Sequence, residues 1–401
     1  MKLFIYDWNF ITKYDLYRAM QKQGIEYDLF NSKSNPRVNS QSKQFRKDLE
    51  KALDNKKYDA IFSINFFLEL AEAAHARNIL YICWTYDSPA LGIANETHFF
   101  DTNRIFLFDS SEYEEFQEHG VKNIFYYLPL AADARRLSQM KPTPMGRMKY
   151  HADISFVGQL YQSDMDKMFP LFDEYGAGYI AALINIQLNV YGTNFIQELI
   201  NENLIKRLCN QKVTEALLKN LNHNFFHDVE EVKSWGLIAF LLKAVTNKER
   251  ILLLTLLAKY YHVKLFTINS PKLPNVKICE PVDYRYDMPL VFKCSKINLN
   301  ITLRNIRRGI PQRVIDIMGC HALAMTNYQE DLNEYFKDGQ DLLIYSSMEE
   351  ALDKCKYYLS HEKEAEKIRQ NGYKIVKDKF SYEHQLNRIW ELSGLKNKLS
   401  K

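Results

Sequence analysis

The clearest evidence for the fold class lies in Ile297–Leu332, INLNITLRNIRRGIPQRVIDIMGCHALAMTNYQEDL. It begins with an apolar run typical of a strand, passes through a basic turn with Gly309 and Pro311, and continues as a helix and a second strand. A strand, a helix and another strand in close order form the repeating unit of a parallel sheet covered by helices. The segment therefore predicts an α/β domain.

The same pattern extends along the chain in both directions. Short apolar runs alternate with amphipathic helical stretches, which is typical of strands buried on both faces of a parallel sheet. Eleven such runs suit two open sheets better than one, and 401 residues are too many for one compact core. In chain order the runs are KLFIY, DAIFSIN, ILYICW, RIFLFD, NIFYYLP, DISFVG, VKLFTI, VKICEP, INLNIT, HALAMT and DLLIYS.

Composition predicts the limits of the domains. The stretch Lys141–His151, KPTPMGRMKYH, has two prolines, one glycine and no apolar periodicity, so we interpret it as a linker between domains at 1–140 and 152–381. Residues from about 162 to 260 show helical periodicity without a convincing strand and predict a helical insertion in the second domain. A last amphipathic helix, about 382–395, could pack back on the first domain.

Charge and cysteine content narrow the class of protein. The net charge is +4, and the cations are interspersed with acids, so a nucleic-acid partner is not expected. The six cysteines contain no CxxC pair, which indicates a reducing, cytoplasmic location. The longest apolar stretches fall short of the roughly 20 residues that a transmembrane helix needs. We therefore expect a protein without a transmembrane segment.

The turn after INLNIT predicts an anion site. It places several arginines and the first turn of a helix around one loop. A helix N-terminus offers unpaired N–H groups, and guanidinium groups offer paired donors, so together they suit a pyrophosphate. The alternative is a solvated basic turn. The predicted contacts are Arg304, Arg308, Gly309, Ile310, Pro311 and Arg313.

Two carboxylates are candidates for further roles. Asp316 lies among apolar neighbours in the helix after the turn, where it could accept hydrogen bonds from two ribose hydroxyls. Its alternative role is a cap or an ion pair with Arg313. Asp87 follows a buried strand and should project from its carboxyl end, where it could take a proton from an attacking hydroxyl. An Asx-turn or a helix cap before Pro89 is the alternative for Asp87.

Several motifs resemble one family of enzymes. The segments SKINLNITLRNIRRGIPQRVIDIMG (295–319) and TNYQEDLNEYF (326–336) are similar to the C-terminal domain of the CgeB-like spore maturation glycosyltransferases, which resembles the glycosyl transferases group 1 domain. FSINF (62–66), YICWTYDSP (81–89) and IFLFDSS (105–111) resemble the companion domain, and DISFVGQLY (153–161) resembles the domain junction. The resemblance covers most of the chain except the helical insertion.

This resemblance implies a GT-B fold, in which two Rossmann-like domains with parallel sheets face a cleft. It implies a hexosyltransferase-like enzyme that moves a sugar from a nucleoside diphosphate sugar, with UDP as the expected nucleotide, to a hydroxyl-bearing acceptor. The acceptor could be a glycan, a protein, a small molecule or a cell-surface or spore polysaccharide. Pro281 and Val282, in the loop CEPVDY, occupy the place where such folds hold the nucleotide base. The resemblance implies no cofactor and no metal, because arginines and helix amides can hold the diphosphate.

One departure from the related enzymes leaves the mechanism open. They carry a Glu, seven residues and a second Glu around the turn, and here Arg308 holds the first position and Asp316 the second. The sequence is therefore compatible with a retaining and with an inverting transfer. The competing hypothesis is a non-catalytic nucleotide-sugar-binding or coat-assembly protein. The long apolar helical segment, about 176–260, could also bury the interface of a homodimer.

Overall fold

The structure is a computed structural model that describes residues 1–401 except 35, 37–38, 55, 91–92, 94–98, 122–123, 221–228, 269–270 and 399–401. The chain divides into two compact units. Unit 1 contains Met1–Ala131, Phe380–Lys401 and Leu218–Val232, as far as these ranges are described. Unit 2 contains Ala132–Leu217 and Lys233–Lys379.

Strands and helices alternate through most of the described chain. The strands are β1 (Lys2–Tyr6), β2 (Glu26–Phe30), β3 (Ala60–Ile64), β4 (Leu80–Trp84), β5 (Asn103–Leu107), β6 (Phe125–Tyr127), β7 (Ala152–Val157), β8 (Val263–Phe266), β9 (Lys277–Cys279), β10 (Ser295–Asn300), β11 (Ala324–Asn327) and β12 (Leu343–Tyr345). The helices are α1 (Lys13–Lys22), α2 (Asn39–Leu53), α3 (Leu68–Ala76), α4 (Ser110–Glu118), α5 (Ala134–Gln139), α6 (Pro144–Tyr150), α7 (Gln162–Met168), α8 (Glu174–Leu188), α9 (Phe195–Leu199), α10 (Glu202–Leu208), α11 (Gln211–Asn220), α12 (Val229–Leu257), α13 (Met288–Cys294), α14 (Gln312–Gly319), α15 (Leu332–Tyr335), α16 (Met348–Ser360), α17 (Glu362–Lys379) and α18 (Tyr382–Leu392).

Unit 1 is built on a parallel sheet with the strand order β2-β1-β3-β4-β5-β6. Every residue of β3 is buried, as expected for a strand covered by helices on both faces. The chain moves outward from β1 to β2 and then returns to β3 on the other side of β1. Strands are therefore added to the sheet in opposite directions on the two sides of the β1–β3 pair, which is the topological switch point of this sheet.

The sheet of unit 1 has one strand more than the apolar runs predict. That strand is β2, EYDLF, which pairs with β1 at the edge of the sheet and is only partly buried. An edge strand needs no continuous apolar run, because part of its surface is solvated. Its mixed sequence therefore escapes a search for buried strands.

The helix α18 packs on unit 1. Trp390 is fully buried, its ring lies 6.3 Å from that of Phe62, and its Nε1 donates to Gln23 Oε1 at 2.9 Å. Lys22 Nζ and Glu383 Oε1 form an ion pair at 2.8 Å between α1 and α18. The last described helix thus completes the unit that the first residues begin.

Unit 2 is built on a second parallel sheet, with the order β12-β11-β10-β7-β8-β9. Its switch point lies between β7 and β10, since the chain leaves β7 towards β8 and β9 and later continues from β10 in the opposite direction. The predicted succession of strand, helix and strand in Ile297–Leu332 is confirmed as the end of β10, α14 and β11.

The segment expected as a helical insertion contains helices α7 to α12 and no strand among its described residues, while 221–228 lie outside the description. Its helices share a core that includes Leu237 and Leu241 of α12. Further along the same helix, Leu253 and Leu257 pack in the core of the sheet. The 29-residue helix α12 therefore belongs both to the helical segment and to the sheet domain.

The region around residues 132–151 differs from the expected linker. Unit 1 passes into unit 2 at Ala131–Ala132, and Pro144–Tyr150 forms helix α6 within unit 2. Thr143 caps this helix by accepting from the N–H of Gly146, and Pro144 occupies its first position, where a proline loses no hydrogen bond. Pro144, one of the two prolines that indicate a linker in the sequence, therefore starts a helix.

Two further observations concern the whole described chain. Among its described residues no helix is both long and apolar enough to cross a membrane. None of the six cysteines, all of which are described, takes part in a disulfide.

Candidate functional site

The candidate site lies at the carboxyl edge of the sheet in unit 2. Ligands of doubly wound sheets bind outside the carboxyl ends of the strands at the switch point, which here separates β7 from β10. The loop after β7 begins at Gly158, and the loop after β10 runs from Ile301 to Pro311, where α14 starts. These two loops define the site in the structure.

Buried polar side chains hold the 301–311 loop from the β11 side. The N–H of Thr302 donates to Asn327 Oδ1 at 2.8 Å. Gln329, which is 4% exposed, donates through Nε2 to the carbonyl oxygens of Ile306 and Gly309 at 3.0 and 3.4 Å. These bonds hold the backbone of the loop against β11 and the residues that follow it.

Arg304, one of the predicted pyrophosphate contacts, is directed into the interior of unit 2. Its side chain is 9% exposed, and its Nε and Nη2 both contact Glu249 Oε2 at 2.9 Å. Its Nη1 donates to Val190 O at 2.9 Å, and the guanidinium lies 4.2 Å from the ring centre of Tyr191. The buried charge of Arg304 is thus paired with the buried carboxylate of Glu249, so Arg304 is committed to the interior of unit 2.

The other predicted residues of the loop surround the start of α14. Arg308 is one-third exposed and contacts Glu330 Oε2 through Nε at 3.0 Å. Gly309, Ile310 and Pro311 are buried. The guanidinium of Arg313 lies 5.8 Å from the ring centre of Phe292. Arg308 and Arg313 thus flank the turn that leads into α14.

The cap residue of α14, Pro311, makes no side-chain hydrogen bond to the first turn of the helix. Pro311 occupies the cap position with an extended backbone, and it has no side-chain group that could accept from the first amides of the helix. Those amides and the positive end of the helix dipole favour an anion. The predicted anion site therefore remains consistent with Arg308, Arg313 and this helix end.

Asp316 is 1% exposed and lies one turn into α14. Its Oδ1 accepts from Tyr284 Oη at 2.9 Å and from Gln312 Nε2 at 2.8 Å. Tyr284 belongs to the loop after β9, in which Pro281 is exposed and Val282 is half-buried. The Tyr284 bond therefore brings the loop expected to hold a base next to the carboxylate expected to hold a ribose.

A buried arginine that the sequence motifs do not identify joins the two loops. Arg250 on α12 donates through Nε and Nη2 to Ile301 O at 3.2 and 2.6 Å, and through Nη1 to Gln159 O at 2.5 Å. Its guanidinium also lies 5.1 Å from the ring centres of Phe156 and Tyr161. Burial lowers the pKa of Arg250 below its ordinary value. The adjacent charges of NKERILLLTLL, inside an apolar helical run, are the signal that could have indicated it.

Burial also shapes the titration of neighbouring groups. It raises the pKa of Tyr191 far above its ordinary value, and the negative charge of Glu249 adds to the effect. Burial raises the pKa of the Cys320 thiol at the end of α14, and the charge of Asp316 acts in the same direction. Both groups therefore stay neutral at physiological pH.

Unit 1 presents its own polar cluster at the carboxyl edge of its sheet. Asp87 follows β4 and is exposed. Asn65, which follows β3 and is 4% exposed, donates through Nδ2 to Asp87 Oδ2 at 2.6 Å and accepts from the N–H of Tyr86 at 2.7 Å. Asn65 has a φ of 62°, a conformation that asparagine adopts more readily than most residues. One buried amide thus orients the predicted base.

The residues after Asp87 are fixed by two acids of α4 and its cap. Ser88 Oγ contacts Asp109 Oδ2 at 3.0 Å and Glu112 Oε1 at 2.9 Å, and the N–H of Ala90 donates to Glu112 Oε1 at 3.1 Å. Asp109 also caps α4. Neither Asn65 nor these two acids is among the residues predicted for the site, although Asn65 lies within the quoted FSINF.

Comparison with known proteins relates this geometry to a family. Residues 239–391 match the glycosyl transferase-like family. This range contains Arg250, the 301–311 loop and Asp316. No curated protein matches the sequence significantly.

Solved structures match the whole chain at low sequence identity. Sucrose-phosphate synthase from Thermosynechococcus elongatus has a TM-score of 0.57 and 10% identity, covering 100% of this chain and 99% of its own. WaaG, a glycosyltransferase involved in lipopolysaccharide biosynthesis, has a TM-score of 0.51 and 9% identity. The match covers 98% of this chain and 100% of WaaG. HepE from Anabaena, solved with UDP-glucose, has a TM-score of 0.50 and 12% identity. The match covers 98% of each chain. The expected fold class is confirmed: the chain is an α/β protein of the GT-B type.

Proposed function

We propose that this protein transfers a sugar from a nucleoside diphosphate sugar to a hydroxyl-bearing acceptor. The observation that carries the proposal is the switch point of unit 2, where Arg308 of the 301–311 loop and Arg313 lie beside the start of α14, whose cap residue Pro311 makes no side-chain hydrogen bond. This loop lies in the range that matches the glycosyl transferase-like family. A diphosphate provides the charge that this arrangement favours, and its departure is the step that the arginines and amides would stabilise.

The remaining parts of a nucleotide have candidate partners beside the loop. Asp316 is the proposed ribose partner, and the backbone near Pro281 and Val282 is the proposed base site. Because Tyr284 and Gln312 already donate to Asp316 Oδ1, ribose hydroxyls would share or replace these bonds. We propose a UDP-sugar as donor, in line with the UDP-glucose bound by HepE, which has the same fold.

Asp87 of unit 1 is the proposed general base for the acceptor hydroxyl. It is exposed, and Asn65 orients one of its oxygens. A carboxylate in this position could take the proton as the hydroxyl attacks the anomeric carbon. We further propose a glycan, protein or polysaccharide acceptor, a CgeB-like membership and a cytoplasmic location, as the sequence motifs predict.

Nucleotide binding tests the proposal. UDP at about a hundredfold excess over its Kd should raise the free energy of unfolding by about 2.7 kcal/mol and so raise the Tm. Asp316→Asn should strongly reduce this rise. Asp153→Asn is the matched control, because Asp153 pairs with Lys296 at the opposite edge of the same sheet. If neither UDP nor GDP stabilises the native protein, the proposed donor site is wrong.

Turnover tests the chemical part. Incubation with a panel of nucleotide sugars, followed by measurement of released nucleotide, should identify a donor that is slowly hydrolysed even without acceptor. We propose that no metal is required, so EDTA should leave this rate unchanged. Loss of the rate in EDTA and its return with Mg²⁺ would overturn the metal-independent part alone.

A non-catalytic nucleotide-sugar-binding or assembly role is the second candidate. The observation that favours it is Arg308, which pairs with Glu330 where related enzymes carry a carboxylate beside the donor sugar. This alternative predicts that UDP-sugars bind without any release of nucleotide over long incubation. Measurable hydrolysis that Asp316→Asn suppresses would exclude it.

A further inference from the structure

Two adjacent residues of opposite charge are buried on α12. Glu249 is 0% exposed and Arg250 is 7% exposed, and apolar residues follow them along the helix. Consecutive residues of a helix point about 100° apart, so two neighbours can reach different partners. Burying two charges is unfavourable unless each finds close partners. Their partners therefore indicate why the charges are there.

Glu249 holds the loop after β10 through Arg304. One carboxylate oxygen contacts the guanidinium of Arg304 at 2.9 Å, and the other accepts from Tyr191 Oη at 2.9 Å. Tyr191 follows helix α8, and its ring also stacks beneath the same guanidinium at 4.2 Å. The helical segment therefore contacts the loop from two elements, α12 and the residues after α8.

Arg250 holds both loops of the switch point. Its three donors reach Ile301 O after β10 and Gln159 O after β7. These partners are carbonyl oxygens, so the buried positive charge of Arg250 adds to the positive character of this edge. A positive charge behind the backbone favours an anion in front of it.

The preceding turn of α12 continues the same pattern. Thr246 Oγ1 accepts from the N–H of Arg304 at 3.0 Å. Asn247 Nδ2 donates to Leu160 O at 2.8 Å. Four side chains within five residues of one helix thus bind the backbone or the arginine of both loops. Packing alone would require apolar side chains here, as in Ile251–Leu254 directly after them.

We propose that Glu249 and Arg250 are positioning residues for the nucleotide diphosphate, and that α12 shapes the site through the backbone of the two loops. Arg304 belongs to this support and does not contact the ligand. The inference rests on the proposed function, because it takes a nucleoside diphosphate as the ligand. It gives the helical segment a direct role in donor binding.

The two roles open to Arg304 predict opposite results for one substitution. If Arg304 binds the diphosphate, Glu249→Gln removes a competing negative charge and should leave nucleotide affinity unchanged or increase it. If the ion pair positions the loop, Glu249→Gln loosens the loop and weakens binding although the site becomes more positive. The direction of the change therefore distinguishes positioning from direct contact.

The experiment measures UDP affinity by calorimetry, well below the Tm of each variant, so that only folded protein contributes. We expect Glu249→Gln to weaken UDP binding about tenfold, since it removes a charge-assisted interaction. Arg250→Lys keeps the charge but cannot reproduce the three hydrogen bonds to Ile301 O and Gln159 O. It should weaken UDP binding by a similar factor. Glu69→Gln is the control, because Glu69 is a buried carboxylate of α3 in unit 1 that accepts from Ser42 Oγ.

Three results would overturn the inference. Native or tighter UDP binding by folded Glu249→Gln contradicts positioning directly. If Glu249→Gln does not fold, Tyr191→Phe is the substitute, because it removes only one hydrogen bond to Glu249. Native UDP affinity in that variant would contradict the inference equally. If the native protein binds neither UDP nor GDP, the proposed function fails and the inference fails with it, a result distinct from the other two.

Discussion

The carboxyl edges of the two sheets present their polar groups in different ways. In unit 2 the 301–311 loop is held from both sides by buried side chains, among them Arg250 and Gln329. In unit 1 the candidate base Asp87 is exposed and is oriented by the single amide of Asn65. Buried polar networks contribute to stability and to shape together, whereas an exposed group contributes little to stability. Substitutions should therefore couple stability and binding in unit 2 and separate them in unit 1.

The largest effect is expected from Arg250→Ala. The change leaves Ile301 O and Gln159 O without their donor and opens a cavity beside Phe156 and Tyr161, so it should lower the free energy of unfolding by about 4 kcal/mol. Urea denaturation measures this loss. Arg147→Ala, at an exposed arginine of α6, should stay within about 0.5 kcal/mol of the native protein. Equal stability of the two variants would remove the contrast between the edges.

Asp87→Asn should show the opposite behaviour. Loss of the base should lower the turnover number by about a hundredfold or more, while the Tm and the UDP affinity stay native. Asp101→Asn controls for the loss of one charge, because Asp101 has a side chain that is 88% exposed in unit 1. Unchanged turnover in Asp87→Asn would mean that another group accepts the proton.

Asn65 tests whether one amide is sufficient to orient Asp87. Asn65→Ala removes a buried donor and acceptor and places alanine at a positive φ, so it should cost about 2 kcal/mol of stability. Asn65→Gly accepts that φ and should cost less. Both variants should lower turnover to a similar extent, and a much more active glycine variant would show that backbone conformation, not the amide, orients Asp87.

The smallest effect concerns His321, which lies away from both edges at the end of α14. Burial lowers the pKa of His321, and the nearby carboxylate of Glu366 opposes this. The folded state therefore takes up a proton less readily than the unfolded state, so stability is complete above the ordinary histidine pKa of about 6.5 and falls as the pH decreases below it. His321→Asn suits the φ of 59° and should reduce the fall in Tm between neutral and mildly acidic pH.

Apolar runs were sufficient to predict the parallel sheets because β3, β8 and similar strands are buried throughout. The half-exposed β2 carries no such run. The sequence predicts the arginines of the turn as one group, because nothing local distinguishes them. In the structure Arg304 pairs with the buried Glu249, whereas Arg308 pairs with the exposed Glu330. Glu249 lies 55 residues from Arg304 along the chain, and no local pattern relates the two.

Asn65 and Arg250 are two further residues whose roles a local sequence pattern does not predict. Each acts through hydrogen bonds to groups that follow different strands, and such partners become neighbours only when the sheet has formed. An adjacent acid and base inside an apolar helix is nevertheless a sign that can be read from sequence, because two buried charges require partners. Asp316, predicted as a ribose partner from its place among apolar residues, is likewise buried in the structure.

The packing of α18 on α1 has a consequence for the order of events during translation. Residues 1–131 leave the ribosome first, but Phe62 and Gln23 meet Trp390 only after about 250 further residues have been made. At cellular elongation rates this delay is on the order of tens of seconds. Throughout that time Phe62 and Gln23 lack their partner Trp390, so this part of the core of unit 1 can be completed only near the end of translation.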